Sequence, residues 1–119
     1  MSRFAARRAR AAFVRGIAGM LAFALLAPAV AADVDAKLQL GRSVFTKIAE
    51  PQCGVCHTLK DAGTTGTLGA NLQELQPDAA RVAQAVRNGV GVMPPYAGKL
   101  TEEQIKAVAE YVARAAAGK

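Results

Sequence analysis

The sequence predicts an all-α fold in which three to four helices pack together in one domain. Apolar residues recur at three- and four-residue steps in three segments between residues 33 and 119, as they do on the buried face of a helix. No alternating strand pattern, internal repeat or low-complexity tract is visible in this part of the sequence. Residues 33–119 are few enough to form a single small domain with a limited core.

The first helix is predicted over residues 34–49. Leu38, Phe45 and Ile48 fall on one face of this helix, and Gly41 lies on the same face. A glycine inside a helix costs about 1 kcal/mol relative to alanine. We therefore expect a second helix to cross the first one closely at Gly41.

The middle of the chain is expected to contain a short helical turn, a loop and a second helix. The turn covers residues 53–57, and the loop over 58–76 is long and contains several glycines. Loops of this length without secondary structure usually serve a function. The second helix is predicted from Pro77 or Asp78 to Asn88, since proline and aspartate favour a first turn and a glycine follows the last residue.

The last helix is predicted to begin at Thr101. The run Thr101-Glu102-Glu103-Gln104 fits a capping box, in which the first and fourth side chains each accept a backbone N–H of the other residue. The two glutamates also suit the positive end of the helix dipole. Four apolar residues form the predicted buried face: Ile105, Val108, Ala109 and Val112.

Residues 1–32 are predicted to be a cleaved secretory signal peptide. Several arginines precede a mainly apolar run over 16–27, and Ala29-Val30-Ala31 fits the small-residue cleavage rule. The alternative is a retained membrane anchor, but the apolar run is shorter than the roughly twenty residues that span a bilayer. We therefore expect a mature domain over 33–119 in the bacterial periplasm, without stable membrane insertion.

Removal of the signal segment changes the charge balance. Residues 33–119 keep ten basic and nine acidic side chains, so the formal charge of +6 falls to +1. The basic surplus belongs to the targeting segment and does not indicate nucleic-acid binding. The mature part keeps only Phe45, Tyr96 and Tyr111 as aromatic residues. So small a core would benefit from a large apolar group around which helices can pack.

The pentapeptide Cys53-Gly54-Val55-Cys56-His57 is the most informative motif of the chain. Two thiols three residues apart lie on the same side of a helical turn, so both can add to the vinyl groups on one edge of a haem. His57 can then place its imidazole under the ring and ligate the iron. The motif predicts one covalent haem c, held through Cys53 and Cys56. The chain has no other cysteine and no other histidine.

Three other uses of the two cysteines agree less well with the sequence. A thioredoxin-like dithiol requires a βαβ pattern, which the sequence lacks. A structural zinc requires four nitrogen or sulfur ligands, and the chain offers three. A simple disulfide would leave His57 unexplained.

Met93 is the candidate distal ligand of the iron. It is the only methionine after residue 32, and Pro94 and Pro95 follow it. A residue that precedes proline is pushed towards an extended backbone, so this loop is stiff enough to hold a long side chain against a metal. The alternative is a methionine that fills a gap in the core.

Ligation by histidine and methionine would fill both axial positions of the iron. The soft thioether favours ferrous iron and raises the reduction potential. Without a vacant site for oxygen or substrate, the remaining function is the transfer of single electrons, and the chain is not expected to be an enzyme. The alternative is a haem-based enzyme or gas sensor with an open sixth coordination site.

Taken together, these motifs resemble the class I cytochromes c, and the resemblance covers nearly all of residues 33–119. The family implies that the first and last helices cross with the haem edge exposed beside them. The segments that carry the resemblance are Cys53–His57, Gly69-Ala70-Asn71-Leu72, Asn88-Gly89 with Met93-Pro94, the helix with Gly41 and Phe45, and the helix with Tyr111.

One departure from the family is visible at Ala70. The family usually has Gly-Pro-x-Leu after the haem motif, and its proline carbonyl accepts a hydrogen bond from the proximal histidine. The resemblance implies that the carbonyl of Ala70 takes this role, without the stiffness of proline, and that Leu72 packs on the haem face. No motif identifies the partners of the haem propionates, for which Arg87 and Tyr96 are candidates.

Three further segments resemble small periplasmic cytochromes that accept electrons from molybdenum-containing sulfite dehydrogenases. They cover residues 44–46, 56–63 and 75–79. This resemblance implies a periplasmic dehydrogenase, and a molybdenum sulfite dehydrogenase in particular, as the electron donor. The acceptor would be an oxidase or another cytochrome.

Overall fold

The computed structural model describes residues 27–119 and confirms the all-α prediction for this part of the chain. The expected signal peptide lies largely outside the described residues, and its cleavage remains a prediction. The helices are α1 (Ala27–Ser43), α2 (Cys53–Cys56), α3 (Leu72–Leu75), α4 (Ala79–Asn88) and α5 (Glu102–Ala116), and a hairpin joins β1 (Thr58–Leu59) to β2 (Thr64–Thr65).

The first helix begins earlier and ends differently than predicted. It starts at Ala27 rather than near residue 34, and residues 29–37 are exposed. At its C-terminal end the chain continues in a π-helical turn over Val44–Ile48, which is closed by the N–H of Ala49 on the carbonyl of Val44 at 3.1 Å. This wider turn contains the buried residues Val44 and Phe45. The part of the predicted first helix that packs in the core is therefore π-helical and not regular α-helix.

Helices α1 and α5 cross at Gly41, as predicted from the sequence. A Cβ atom at this position would overlap the carbonyl oxygen of Ala107 and lie 2.6 Å from the Cβ of Tyr111. Below the crossing, the rings of Phe45 and Tyr111 meet edge to face, with their centroids 6.1 Å apart. Only a residue without a side chain allows the two backbones to approach this closely.

The region predicted as a loop over 58–76 contains a small hairpin and helix α3, so the expectation of no secondary structure was wrong there. Thr58 lies opposite Thr65, and Leu59 lies opposite Thr64. Strands of two residues are too short to show an alternating pattern in the sequence. The hairpin turn is attached to α5, because the hydroxyl of Tyr111 donates to Oδ2 of Asp61 at 2.6 Å.

The end of α4 at Asn88 matches the prediction, and α4 and α5 begin directly after their predicted starts, Asp78 and Thr101. At the start of α4 the side chain of Asp78 accepts the N–H of Arg81 at 2.7 Å, and at its end Gly89 has a φ of 72°. At the start of α5 both halves of the capping box are formed between Thr101 and Gln104. Local sequence signals therefore locate these helix ends correctly.

The core lies between α1, α4 and α5 and includes residues of the loops. Every predicted apolar residue of the last helix is buried, and Tyr111 is buried with them at 4% exposure. In residues 27–119, no helix is both long enough and apolar enough to cross a membrane. The largest side chains that are fully buried are Phe45, Leu59, Ile105, Val44, Val108 and Val112.

Candidate haem site

The motif Cys53–His57 forms α2 and its C-terminal cap. The N–H of His57 donates to the carbonyl of Cys53 at 2.9 Å, which closes a single helical turn. Both thiols are free and partly buried. Burial raises the pKa of the Cys53 thiol to about 11, so this sulfur is neutral at pH 7 and packs against the core as an apolar group.

Two glycines allow the hairpin to pack directly on this turn. A Cβ at Gly54 would overlap the methyl group of Thr64, and a Cβ at Gly66 would lie 2.5 Å from the carbonyl carbon of Cys56. The hydroxyl of Thr64 donates to the carbonyl of His57 at 2.9 Å. The sequence analysis did not identify Thr64 as part of the site. The only sign of this contact in the sequence is glycine at positions 54 and 66, which leaves room for a close neighbour.

The imidazole of His57 is oriented by the loop that follows the hairpin. Its Nδ1 lies 2.8 Å from the carbonyl oxygen of Ala70. Since a carbonyl can only accept, Nδ1 carries the proton and the lone pair of Nε2 is free to bind a metal. Gly69 lies against the ring, because a Cβ there would be 2.6 Å from Cε1 of His57. The bond that the family makes with a proline carbonyl is therefore present with alanine.

The next residues of this loop link the site to the core. Asn71 caps α3 by accepting the N–H of Gln73 at 3.0 Å. This places Leu72 in the core with 8% of its surface exposed, whereas Ala70 is exposed. The amide of Gln73 in turn donates to the carbonyl oxygens of Ala115 and Ala116, which attaches α3 to the end of α5.

Met93 lies in a tight turn after α4. Its N–H donates to the carbonyl of Val90 at 2.9 Å, and the N–H of Val90 donates back at 3.1 Å. Gly89 packs under this turn, where a Cβ would lie 2.6 Å from the carbonyl oxygen of Met93. The partly buried side chains of Met93 and Cys53 pack against the same core cluster. The structure thus brings the candidate distal ligand and the attachment motif to one core.

The two candidate propionate partners are engaged elsewhere. The guanidinium of Arg87 makes a bidentate contact with Glu102, through Nε to Oε1 at 3.1 Å and a terminal nitrogen to Oε2 at 2.7 Å. This contact raises the pKa of Arg87 and lowers that of Glu102. The hydroxyl of Tyr96 donates to the carbonyl of Pro51 at 2.6 Å, and burial raises its pKa to about 12. Both groups therefore join elements of the protein to each other.

The residues of the site fit a covalent haem. Two free thiols lie on one turn, a histidine leaves Nε2 free by using Nδ1 for a backbone bond, and a thioether lies at the same core. The described residues contain no group of three or more His, Cys, Asp or Glu side chains that could hold a metal ion in another way. A histidine nitrogen and a methionine sulfur are known ligands of haem iron, whereas a structural zinc requires four nitrogen or sulfur ligands.

The fold and the site define a class I c-type cytochrome. Residues 36–112 match the family described as cytochrome C oxidase, cbb3-type, subunit III, and the chain belongs to this family of c-type cytochromes. The expected class I cytochrome c fold is thereby confirmed. So is the expected cofactor, a covalent haem c, and Cys53 and Cys56 have the spacing for its attachment.

Individual relatives agree with this assignment. The chain is 29% identical over 76 residues to cytochrome c-551 of Halorhodospira halochloris. This match covers 60% of this chain and 92% of the relative. The crystal structure of the c-type cytochrome SorU from Sinorhizobium meliloti is similar with a TM-score of 0.67 and 54% identity, and the match covers 69% of this chain and 93% of that chain. The protein is an electron-transfer cytochrome, and it functions with redox partner proteins.

Proposed function

We propose that this chain is an exported, periplasmic single-electron carrier without enzymatic activity. In this proposal residues 1–32 are removed, and the haem is attached through Cys53 and Cys56. His57 and Met93 would be the two side chains that hold the iron. The donor is a periplasmic dehydrogenase, and the acceptor is an oxidase or another cytochrome.

The orientation of His57 is the observation that carries this proposal. When bound, the haem supplies a one-electron couple between ferric and ferrous iron. The hydrogen bond from Nδ1 to Ala70 directs Nε2 away from the loop as a ligand. The thioether of Met93 is a soft ligand that favours the ferrous state. Leu72 and the neighbouring core side chains exclude water and so limit the reorganisation that each electron transfer requires.

Spectroscopy of the Met93→Ala holoprotein tests the axial ligands. If Met93 is the distal ligand, this variant loses its low-spin spectrum, its reduction potential falls, and its ferrous form binds carbon monoxide readily. Wild-type ferrous protein is expected to bind carbon monoxide slowly. Rapid binding by the wild type, or an unchanged spectrum in the variant, would favour the open-site alternative.

A molybdenum sulfite dehydrogenase is the donor that we propose. The support is the resemblance of residues 44–46, 56–63 and 75–79 to cytochromes that accept electrons from such enzymes, together with the 54% identity to a c-type cytochrome of solved structure. Two of these segments lie at the site. The first is part of the π-helical turn, which contacts α2, and the second contains Cys56 and the hairpin strand β1.

Stopped-flow reduction tests the donor. Oxidised holoprotein is mixed with a purified sulfite dehydrogenase and sulfite, and the ferrous spectrum is followed. We expect reduction within the turnover time of the enzyme, and none when sulfite is omitted. Reduction at an equal rate by an unrelated periplasmic dehydrogenase with its own substrate would show that the donor is not specific. No reduction by the sulfite enzyme would contradict this assignment and leave the carrier function unaffected.

A further inference from the structure

Tyr96 is held firmly by its backbone. It follows Met93 by three residues, and only 3% of its surface is exposed. Its N–H donates to the carbonyl of Val86 in α4 at 2.9 Å, and its own carbonyl accepts the N–H groups of Lys99 and Leu100 at 2.9 Å each. The backbone of Tyr96 is therefore fixed by α4 and by the segment that leads into α5.

The hydroxyl of Tyr96 reaches the opposite side of the site. It donates to the carbonyl oxygen of Pro51 at 2.6 Å, across 45 residues of sequence. Pro51 lies two residues before Cys53, and Gln52 between them is the N-terminal cap of α2. In the part of the chain that the structure describes, this is the only hydrogen bond that joins residues 49–57 to residues 89–100.

The turn that contains Met93 has few other attachments. The two backbone bonds between Val90 and Met93 close the turn on itself. Val90 and Val92 are 66% and 94% exposed, so they do not anchor the turn in the core. Besides its connection to α4 through Gly89, the turn is positioned relative to the attachment motif by the packing of Met93 on the core and by the bond from Tyr96 to Pro51.

We propose that the Tyr96 hydroxyl positions the Met93 turn against the Cys53–His57 helix and keeps the methionine side of the haem closed. This inference rests on the proposed function, in which Met93 is the distal ligand. Movement of the turn away from α2 that carries Tyr96 with it breaks the bond to Pro51. Loss of one such bond raises the population of the opened form about fivefold. An added ligand binds only the opened form, so its apparent affinity rises by the same factor.

Imidazole titration of the ferric holoprotein measures this population. Tyr96→Phe keeps the ring and removes only the hydroxyl. Tyr111→Phe is the matched control, because Tyr111 is equally buried and its hydroxyl makes a 2.6 Å bond to Asp61 in the hairpin turn, away from Met93. We expect about fivefold tighter imidazole binding in Tyr96→Phe and wild-type affinity in Tyr111→Phe. Met93→Ala should bind imidazole more tightly than either.

The outcomes separate this inference from the proposed ligand. Wild-type affinity in Tyr96→Phe, with tight binding in Met93→Ala, overturns the positioning role and leaves Met93 as the ligand. An equal rise of the imidazole affinity in both tyrosine variants also overturns it, since a general loosening of the fold would then be the cause. Equal affinity in Met93→Ala and the wild type overturns both proposals. If Tyr96→Phe yields no holoprotein, rapid solvent exchange of the Tyr96 hydroxyl proton in wild-type NMR spectra overturns the inference, and a protected proton supports it.

Discussion

Nδ1 of His57 and the carbonyl oxygen of Ala70 lie 2.8 Å apart, so the imidazole of His57 is oriented by the backbone of a loop. Any residue at position 70 supplies this carbonyl. Alanine can therefore stand where the family usually has proline, and the geometry of the histidine is preserved. What alanine does not supply is the restriction that proline imposes on the unfolded chain.

Replacement of Ala70 by proline should stabilise the protein without changing the haem spectrum. Position 70 is exposed, the preceding Gly69 tolerates a following proline, and proline reduces the entropy of the unfolded state. We expect the free energy of unfolding to rise by about 0.5–1 kcal/mol in urea unfolding of the holoprotein. Ala70→Gly is the control and should lower it. A changed spectrum in Ala70→Pro would mean that the carbonyl had moved.

Replacement of Gly69 by alanine should disturb the imidazole itself. The new Cβ would lie 2.6 Å from Cε1 and 2.9 Å from Nδ1 of His57, so the ring must move and its bond to Ala70 weakens. A less basic imidazole stabilises ferric iron less well, so the reduction potential should rise. A bond worth about 1 kcal/mol corresponds to a shift on the order of 40 mV.

Redox titration of the holoprotein measures this shift. Gly63→Ala is a suitable control, because no atom lies within 4 Å of its Cβ position and the cost of its φ of 68° falls on stability. The same change of potential in both variants would contradict a direct effect on the histidine.

Replacement of Gly41 by valine should destabilise the fold strongly. The added side chain would overlap the carbonyl oxygen of Ala107, which is backbone and cannot turn away. We expect the loss to be about 2 kcal/mol or more in thermal unfolding. Gln39→Ala, at an exposed position of the same helix, should change stability by less than about 0.5 kcal/mol. Equal stability of the two variants would mean that the helices can separate at this crossing without cost.

The stability of the fold should decrease in alkali, and Tyr111 should contribute to this decrease. Burial raises the pKa of Tyr111, and the bonded carboxylate of Asp61 raises it further. A group whose native pKa exceeds its unfolded value stabilises the fold below the unfolded value, about 10 for tyrosine, and this contribution is lost as the pH rises towards the native pKa. Urea unfolding above about pH 10 should therefore show a less steep decline in Tyr111→Phe than in the wild type. Parallel declines would exclude this contribution.

Much of the fold and of the candidate site could be predicted from local signals. Three helix ends could be predicted because they depend on neighbouring residues alone. They are the capping box at Thr101, the aspartate cap of α4 and the glycine at the end of α4. The close crossing at Gly41 was predicted because a glycine on an apolar helix face has a cost that only packing can offset. By contrast, the hairpin and the π-helical turn depend on contacts with distant residues, and they were missed.

The sequence by itself determined the chemistry of this protein: a lone Cys-x-x-Cys-His motif and a single methionine after residue 32 suffice to indicate a covalent haem and an electron carrier. Only the tertiary structure decided how these groups are held. The hydroxyl of Thr64 donates to the carbonyl of His57, Nδ1 of His57 donates to the carbonyl of Ala70, and the hydroxyl of Tyr96 donates to the carbonyl of Pro51. These contacts join residues that lie 7, 13 and 45 positions apart and do not share a helix. Spacing in a sequence reports which side chains share a turn or a helix face, whereas the partner of a hydrogen bond across the fold is selected by packing.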